Sequence, residues 1–137
     1  MVWPRRVYRR RSQGALTDKT YRNALAKAKR LSGPEGIDAA MKKYKLDALL
    51  APTTGPAWTT DLVNGDHVTG GSSSPAAVAG YPDITVPAGF IHCLPVGMSF
   101  FGSKWSEPKL ISIAYAFEQA THARQAPQFL PNVTGCK

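Results

Sequence analysis

Apolar residues recur at helical spacing early in the chain: Tyr21, Ala24, Leu25, Ala28 and Leu31 share one side of a 3.6-residue period. The pattern predicts an amphipathic helix with Thr17 as its N-cap, ended by Ser32-Gly33-Pro34, since proline cannot continue a helix in regular geometry. Its other side carries Lys19, Arg22, Lys27, Lys29 and Arg30, which reads as a solvated face. A second helix is predicted from about Glu35, with Ile37, Ala40, Met41 and Tyr44 inward. Lys42, Lys43 and Lys45 fall in its last turn, where cations meet the negative end of the helix dipole.

From Leu46 to Ala51 the residues are apolar except for Asp47, the pattern of an interior strand covered on both faces. Pro52 ends it, because proline cannot donate to the ladder, and Thr53-Thr54-Gly55-Pro56 forms a polar loop at its carboxyl end. In open α/β sheets ligands lie outside such ends, so Thr53 and Thr54 are candidates for a pocket margin; the alternative is a turn whose hydroxyls bond to their own backbone.

Residues 55–75 are loop-rich, anchored by Trp58 and turning at Asn64-Gly65. Asp61, Asp66 and His67 are their titratable groups; Asp66 and His67 are sequence neighbours, which point apart and make a poor catalytic or metal pair. In Gly70-Gly71-Ser72-Ser73-Ser74 the chemistry allows an anion cradle of backbone N–H groups or a nucleophilic serine. A structural reading accounts for the same residues, with Ser74 as the N-cap of a short helix and Pro75 at its first position.

Between Gly80 and Phe90, paired prolines and glycines bracket a short β-prone core. Ile84–Val86 and Val96–Phe101 are expected to be neighbouring antiparallel strands joined by a loop over Pro87–Pro95. His92 and Cys93 sit at its tip; a Cys–His nucleophile needs a base fixed by a third group, which loop neighbours rarely achieve, so a structural role is expected. The last element is a helix capped by Ser106, with Pro108 in its first turn and Leu110, Ile113, Ala114, Phe117 and Thr121 on one face. Gln125–Lys137 reads as a tail.

As an ordered set, these motifs resemble the C-terminal part of the amidase signature family, including enzymes similar to glutamyl-tRNA amidotransferases. The set is Asp47-Ala48-Leu49-Leu50-Ala51-Pro52-Thr53, then Pro75 through Phe90, then Leu94-Pro95-Val96-Gly97-Met98, then the helix at Ser106-Glu107-Pro108. The resemblance spans residues 17–131 and implies an α/β fold, a partial mixed sheet of about three strands flanked by helices. It also implies hydrolysis of carboxamide bonds by a serine nucleophile, a second serine bridging to a lysine base, and backbone donors for the oxyanion. The family's serines and lysine lie upstream of the matched stretch, and its Gly/Ser-rich catalytic segment is a different one from Gly70–Ser74. No catalytic, cofactor-binding or metal-ligating residue is therefore assigned in this chain. Many family members carry glycine where Cys93 stands, which puts a tight turn there in question.

Charge alters the picture at one end only. Residues 1–45 hold 13 of the 17 Lys and Arg and three of the nine acids, a balance of +10 against −2 for the rest. The run Arg5-Arg6-Val7-Tyr8-Arg9-Arg10-Arg11, with Trp3 and Tyr8 as stacking groups, suggests an anionic partner such as nucleic acid, or a disordered leader. The expected organisation is an arm over residues 1–14, the amidase-like part over 15–131 and a tail over 132–137. No apolar run approaches the roughly 20 residues of a membrane helix. Two cysteines without metal spacing, and no apolar stretch after the N-terminal arginines, make a reducing cytoplasm the expectation and the Asn132-Val133-Thr134 sequon a chance match. Two functions remain. One is the C-terminal part of an amide hydrolase, inactive alone, meeting its small amide substrate only within a complete enzyme and prone to self-association through unpaired apolar surface. The other is a non-enzymatic module binding through the arginine-rich arm.

Overall fold

The computed structural model describes residues 14–129. Helix α1 is Lys19–Ser32, followed without a break by a π-helical turn, Gly33–Asp38, and helix α2, Ala39–Tyr44. Strand β1 is Leu49–Pro52, helix α3 is Ser74–Ala79, strands β2 and β3 are Asp83–Ile91 and Leu94–Phe101, and helix α4 is Glu107–Thr121.

Asp18, not Thr17, caps α1: its carboxylate accepts from the Thr20 N–H at 2.7 Å. The expected break at Ser32-Gly33-Pro34 is absent, because the chain widens into the π turn with Pro34 inside it. The wider turn is shaped around Tyr81. A Cβ on Gly33 would lie 3.0 Å from the Tyr81 hydroxyl, closer than an alanine there tolerates without movement. Ile37 belongs to this turn and is buried, while α1 itself buries no residue.

The sheet has the order β1-β3-β2 with both pairings antiparallel. Rows of side chains cross it in register, Leu50–Phe100–Ile84 on one face and Ala51–Ser99–Thr85 on the other. Helix α4 covers the first face. Val86, Phe100, Leu110 and Ala114 are its buried core, with Ile84, Met98, Ile113 and Phe117 packed around them. The Phe100 and Phe117 rings meet edge-on, 5.6 Å apart at 65°. Such a pair contributes about 0.5–1.5 kcal/mol beyond the area it buries. Leu110, Ile113, Ala114 and Phe117 thus form the inward stripe that the spacing predicts.

β1 departs from expectation. Among the described residues it pairs with β3 alone and is an edge strand, with Leu49 and Ala51 half-buried and Leu50 and Pro52 exposed. An apolar run is compatible with either state, and only the neighbours decide. Proline is tolerated at such an edge, so Pro52 is the last residue of the strand and pairs with Met98.

The link between β2 and β3 is also shorter than expected. Both strands extend through most of Pro87–Pro95, with a bulge between Pro87 and Gly89, leaving a two-residue turn at His92 and Cys93. Both residues adopt positive φ, 46° and 62°, so the tight turn forms without glycine. At α3 the helix begins one residue earlier than predicted: Ser73 holds the cap position, without a side-chain bond, and Ser74 is already helical. Ser106 does hold the cap position of α4, again without a side-chain hydrogen bond. The arginine-rich arm at residues 1–13 and the tail from residue 130 lie outside the described residues, as does the Asn132 sequon.

Candidate functional site

Directly after β1, Thr53 is fixed by its backbone in two directions. Its N–H donates to the Gly97 carbonyl at 2.9 Å, and its carbonyl accepts from the Ser72 N–H at 3.1 Å. Thr54 forms an isolated antiparallel bridge with Gly71. The Gly/Ser segment is thereby laid beside the carboxyl end of β1, which no sequence pattern places there.

The Thr53 side chain turns onto the sheet. Its hydroxyl donates to Thr85 Oγ1 at 3.3 Å and lies 3.0 Å from Ser99 Oγ, which is also 3.0 Å from Thr85 Oγ1. Three hydroxyls close a triangle in which Ser99 Oγ has two partners, so the buried Ser99, 1% exposed, is satisfied without water. Gly97 makes the approach possible, since a Cβ there would stand 2.8 Å from Thr85 Cγ2 and 2.9 Å from Thr53 Oγ1. Of the two threonines proposed for a pocket margin, Thr53 binds the sheet, whereas the Thr54 hydroxyl donates to the Gly55 carbonyl at 2.7 Å, the local-turn alternative.

Chemically this cluster orients a loop; its bonds run from hydroxyl to hydroxyl and along the backbone, an arrangement that supplies no base to a serine. Ser72 Oγ is buried without a hydrogen-bond partner, while Ser73 and Ser74 are exposed at the start of α3.

Other candidates disperse. Asp66 and His67 are both exposed. Asp61 accepts from the Val63 and Asn64 N–H groups, each at 2.8 Å, and from Asn64 Nδ2 at 3.0 Å, closing the turn expected at Asn64-Gly65. The Asn64 N–H, the strongest of these contacts, helps hold the Asp61 carboxyl below its ordinary range. Cys93 is disulfide-bonded, so its sulfur offers no thiolate to pair with His92. Among the described residues no three His, Cys, Asp or Glu side chains gather as a metal site, and no helix is long and apolar enough to cross a membrane.

Two features carry no signal in the sequence. Tyr81 donates to Asp38 Oδ2 at 2.6 Å, joining the turn before β2 to the π turn, and Asp38 Oδ1 is buried without a partner. That bond, above all, raises the Tyr81 phenol above its ordinary value. A cleft of about 240 Å³ opens between the β2 bulge and the end of α4, lined by Pro87, Glu118, Gln119, His122, Ala123 and Arg124.

Comparison with known proteins places this architecture. Residues 4–111 match the family described as Amidase. A probable amidase of Arabidopsis thaliana is 44% identical over 110 residues, which are 80% of this chain and 18% of that protein. A glutamyl-tRNA(Gln) amidotransferase subunit from a Psychrobacter species is 37% identical over 102 residues, 74% of this chain and 18% of that protein. The crystal structure of the peptide amidase PAM in complex with the competitive inhibitor chymostatin superposes with a TM-score of 0.83 at 56% identity, covering 86% of this chain and 24% of that one. The native peptide amidase of Stenotrophomonas maltophilia gives 0.78 at 54%, over 86% and 23% of the two chains. The chain thus spans about a fifth to a quarter of the length of the proteins it matches.

Proposed function

The chain belongs to the amidase family, and we propose that it forms one sheet-and-helix wall of an amide hydrolase whose catalytic groups lie in polypeptide beyond this stretch. The substrate class we infer is a peptide carboxamide. The observation that carries this reading is the 0.83 superposition at 56% identity on a peptide amidase of which the chain spans 24%.

The role of this portion is positional. The hydroxyl triangle and the Thr53–Ser72 bond hold the loop after β1 and the Gly/Ser segment against one face of the sheet. Helix α4 stiffens the sheet from behind through Phe100 and Leu110. A serine nucleophile and its lysine base, as the family resemblance implies, then act from the complementary polypeptide across the pocket.

The test is complementation. The chain alone, incubated with a peptide amide, is expected to release no ammonia above a blank. Co-expressed with the first three quarters of a peptide amidase such as that of Stenotrophomonas maltophilia, it is expected to restore release. Turnover by the chain alone that vanished on Ser72→Ala, Ser73→Ala or Ser74→Ala would overturn the reading and return the Gly/Ser segment to a nucleophilic role.

A further inference from the structure

The chain between β1 and α3 leaves and returns through one neck, where the Ser72 N–H donates to the Thr53 carbonyl at 3.1 Å and Thr54 bridges to Gly71. Its tip is closed by Asp61. One carboxylate oxygen accepts from the Val63 and Asn64 N–H groups, the other from Asn64 Nδ2, and the Asp61 carbonyl accepts from the Gly65 N–H at 3.1 Å. Around that residue the tip is open. Leu62 and Val63 are 95% and 90% exposed, Asn64 is exposed, and a Cβ on Gly65 would meet nothing within 4 Å. Asparagine is a thermolabile residue. It is most so before glycine, where no Cβ hinders the approach of the next backbone nitrogen to the side-chain amide.

We propose that Asn64-Gly65 is a self-modifying deamidation site that Asp61 holds closed, and that its conversion opens the turn irreversibly. In the step, the Gly65 amide nitrogen loses its proton and attacks Asn64 Cγ. The new N–C bond closes a succinimide ring, the bond from Cγ to Nδ2 breaks, and ammonia leaves with that proton. One water then opens the ring, leaving aspartate or isoaspartate at position 64. Asp61 restrains both reacting groups: its carbonyl engages the Gly65 N–H, and its carboxylate holds the Asn64 amide by Nδ2 at 3.0 Å. After conversion a carboxylate replaces the amide that donated to Asp61, and like charges at that separation repel. The neck bonds lie outside the reacting atoms, so the tip is released while the sheet keeps its form.

The test needs no enzymatic activity and is independent of the amidase reading. The full chain, its Asp61→Ala variant and a synthetic peptide covering residues 57–69 are incubated at mildly alkaline pH, and aspartate and isoaspartate at position 64 are followed by peptide mapping. Conversion in the full chain is expected to be about tenfold slower than in the peptide, a factor that hydrogen bonds to a charged group are strong enough to set. Asp61→Ala is expected to recover most of that difference with the far-ultraviolet circular dichroism of the parent. Equal rates in parent and peptide, or in parent and Asp61→Ala, would overturn the proposal, and the first comparison holds whether or not the variant folds. The effect of conversion is read in Asn64→Asp, where amide exchange at Val63 is expected to quicken while Thr53 stays protected. Unchanged exchange at Val63 would show that the turn survives conversion and also overturns it.

Discussion

The Tyr81 hydroxyl reaches Asp38 Oδ2 at 2.6 Å, and the space it occupies is left by the missing side chain of Gly33 in the π turn. One hydrogen bond thus joins the Gly80-Tyr81-Pro82 turn to the helical segment more than 40 residues earlier.

Tyr81→Phe removes the donor and leaves both Asp38 oxygens without a partner, since Oδ1 already lacks one. We expect a loss of about 1–3 kcal/mol, read as a lowered urea midpoint. The phenol's folded pKa is raised, chiefly by this bond, so its stabilising effect is complete below the unfolded value near 10 and is lost as pH rises through the folded value. The parent should therefore lose stability above about pH 10, and Tyr81→Phe should lack that component. Equal alkaline loss in both proteins would disconnect Tyr81 from it.

Ser99→Ala removes the hub of the hydroxyl triangle and leaves Thr53 and Thr85 with their 3.3 Å contact. A loss of about 1 kcal/mol is expected. Gly97→Val should cost more, because its side chain must displace Thr85 Cγ2 and Thr53 Oγ1. Amide exchange at Thr53, whose N–H is bonded to the Gly97 carbonyl, should quicken in both variants; unchanged protection would separate the loop from the triangle.

In the complemented enzyme, replacing Ser73 and Ser74 by alanine is expected to leave ammonia release within about twofold of the parent, since both are exposed at the α3 terminus and neither makes a side-chain cap bond. A loss of several orders of magnitude in kcat would mark one of them as the nucleophile.

Leu50 is 59% exposed on the edge strand, and Leu25 and Leu31 on α1 are 39% and 48% exposed. Burying one leucine stabilises by about 1.5–3 kcal/mol, a sizeable part of a domain's usual margin. The chain alone is therefore expected to bind a hydrophobic dye or self-associate, and complementation to suppress both. A monomeric chain with a sharp thermal transition and no dye binding would show a self-sufficient domain.

Residues 1–14 contain five arginines, so they should give salt-dependent, sequence-independent affinity for single-stranded nucleic acid, weakening steeply as salt is raised. Deleting residues 1–13 should abolish most of it. Equal affinity before and after the deletion would remove the arm as a binding element.

Much of the local structure follows from short-range rules that the chain carries in itself. The α4 stripe, the Asn64-Gly65 turn and the strand centres at Ile84–Val86 and Val96–Phe101 each rest on periodicity or turn chemistry within a few residues. The family was legible for a related reason: its motifs form an ordered series along the chain.

What the sequence could not determine depends on partners distant along it. Gly33-Pro34 reads as a stop, yet the helix continues through a π turn because Tyr81, far downstream, fills the space beside it. The residues from Leu46 to Ala51 read as interior, but an apolar run does not specify how many neighbours a strand has, and β1 lies at an edge among the described residues. Likewise Thr53, Thr85 and Ser99 say little singly; antiparallel register sets Thr85 beside Ser99, the chain leaving β1 brings Thr53 onto the same face, and only that pairing turns three scattered hydroxyls into a closed hydrogen-bonded ring.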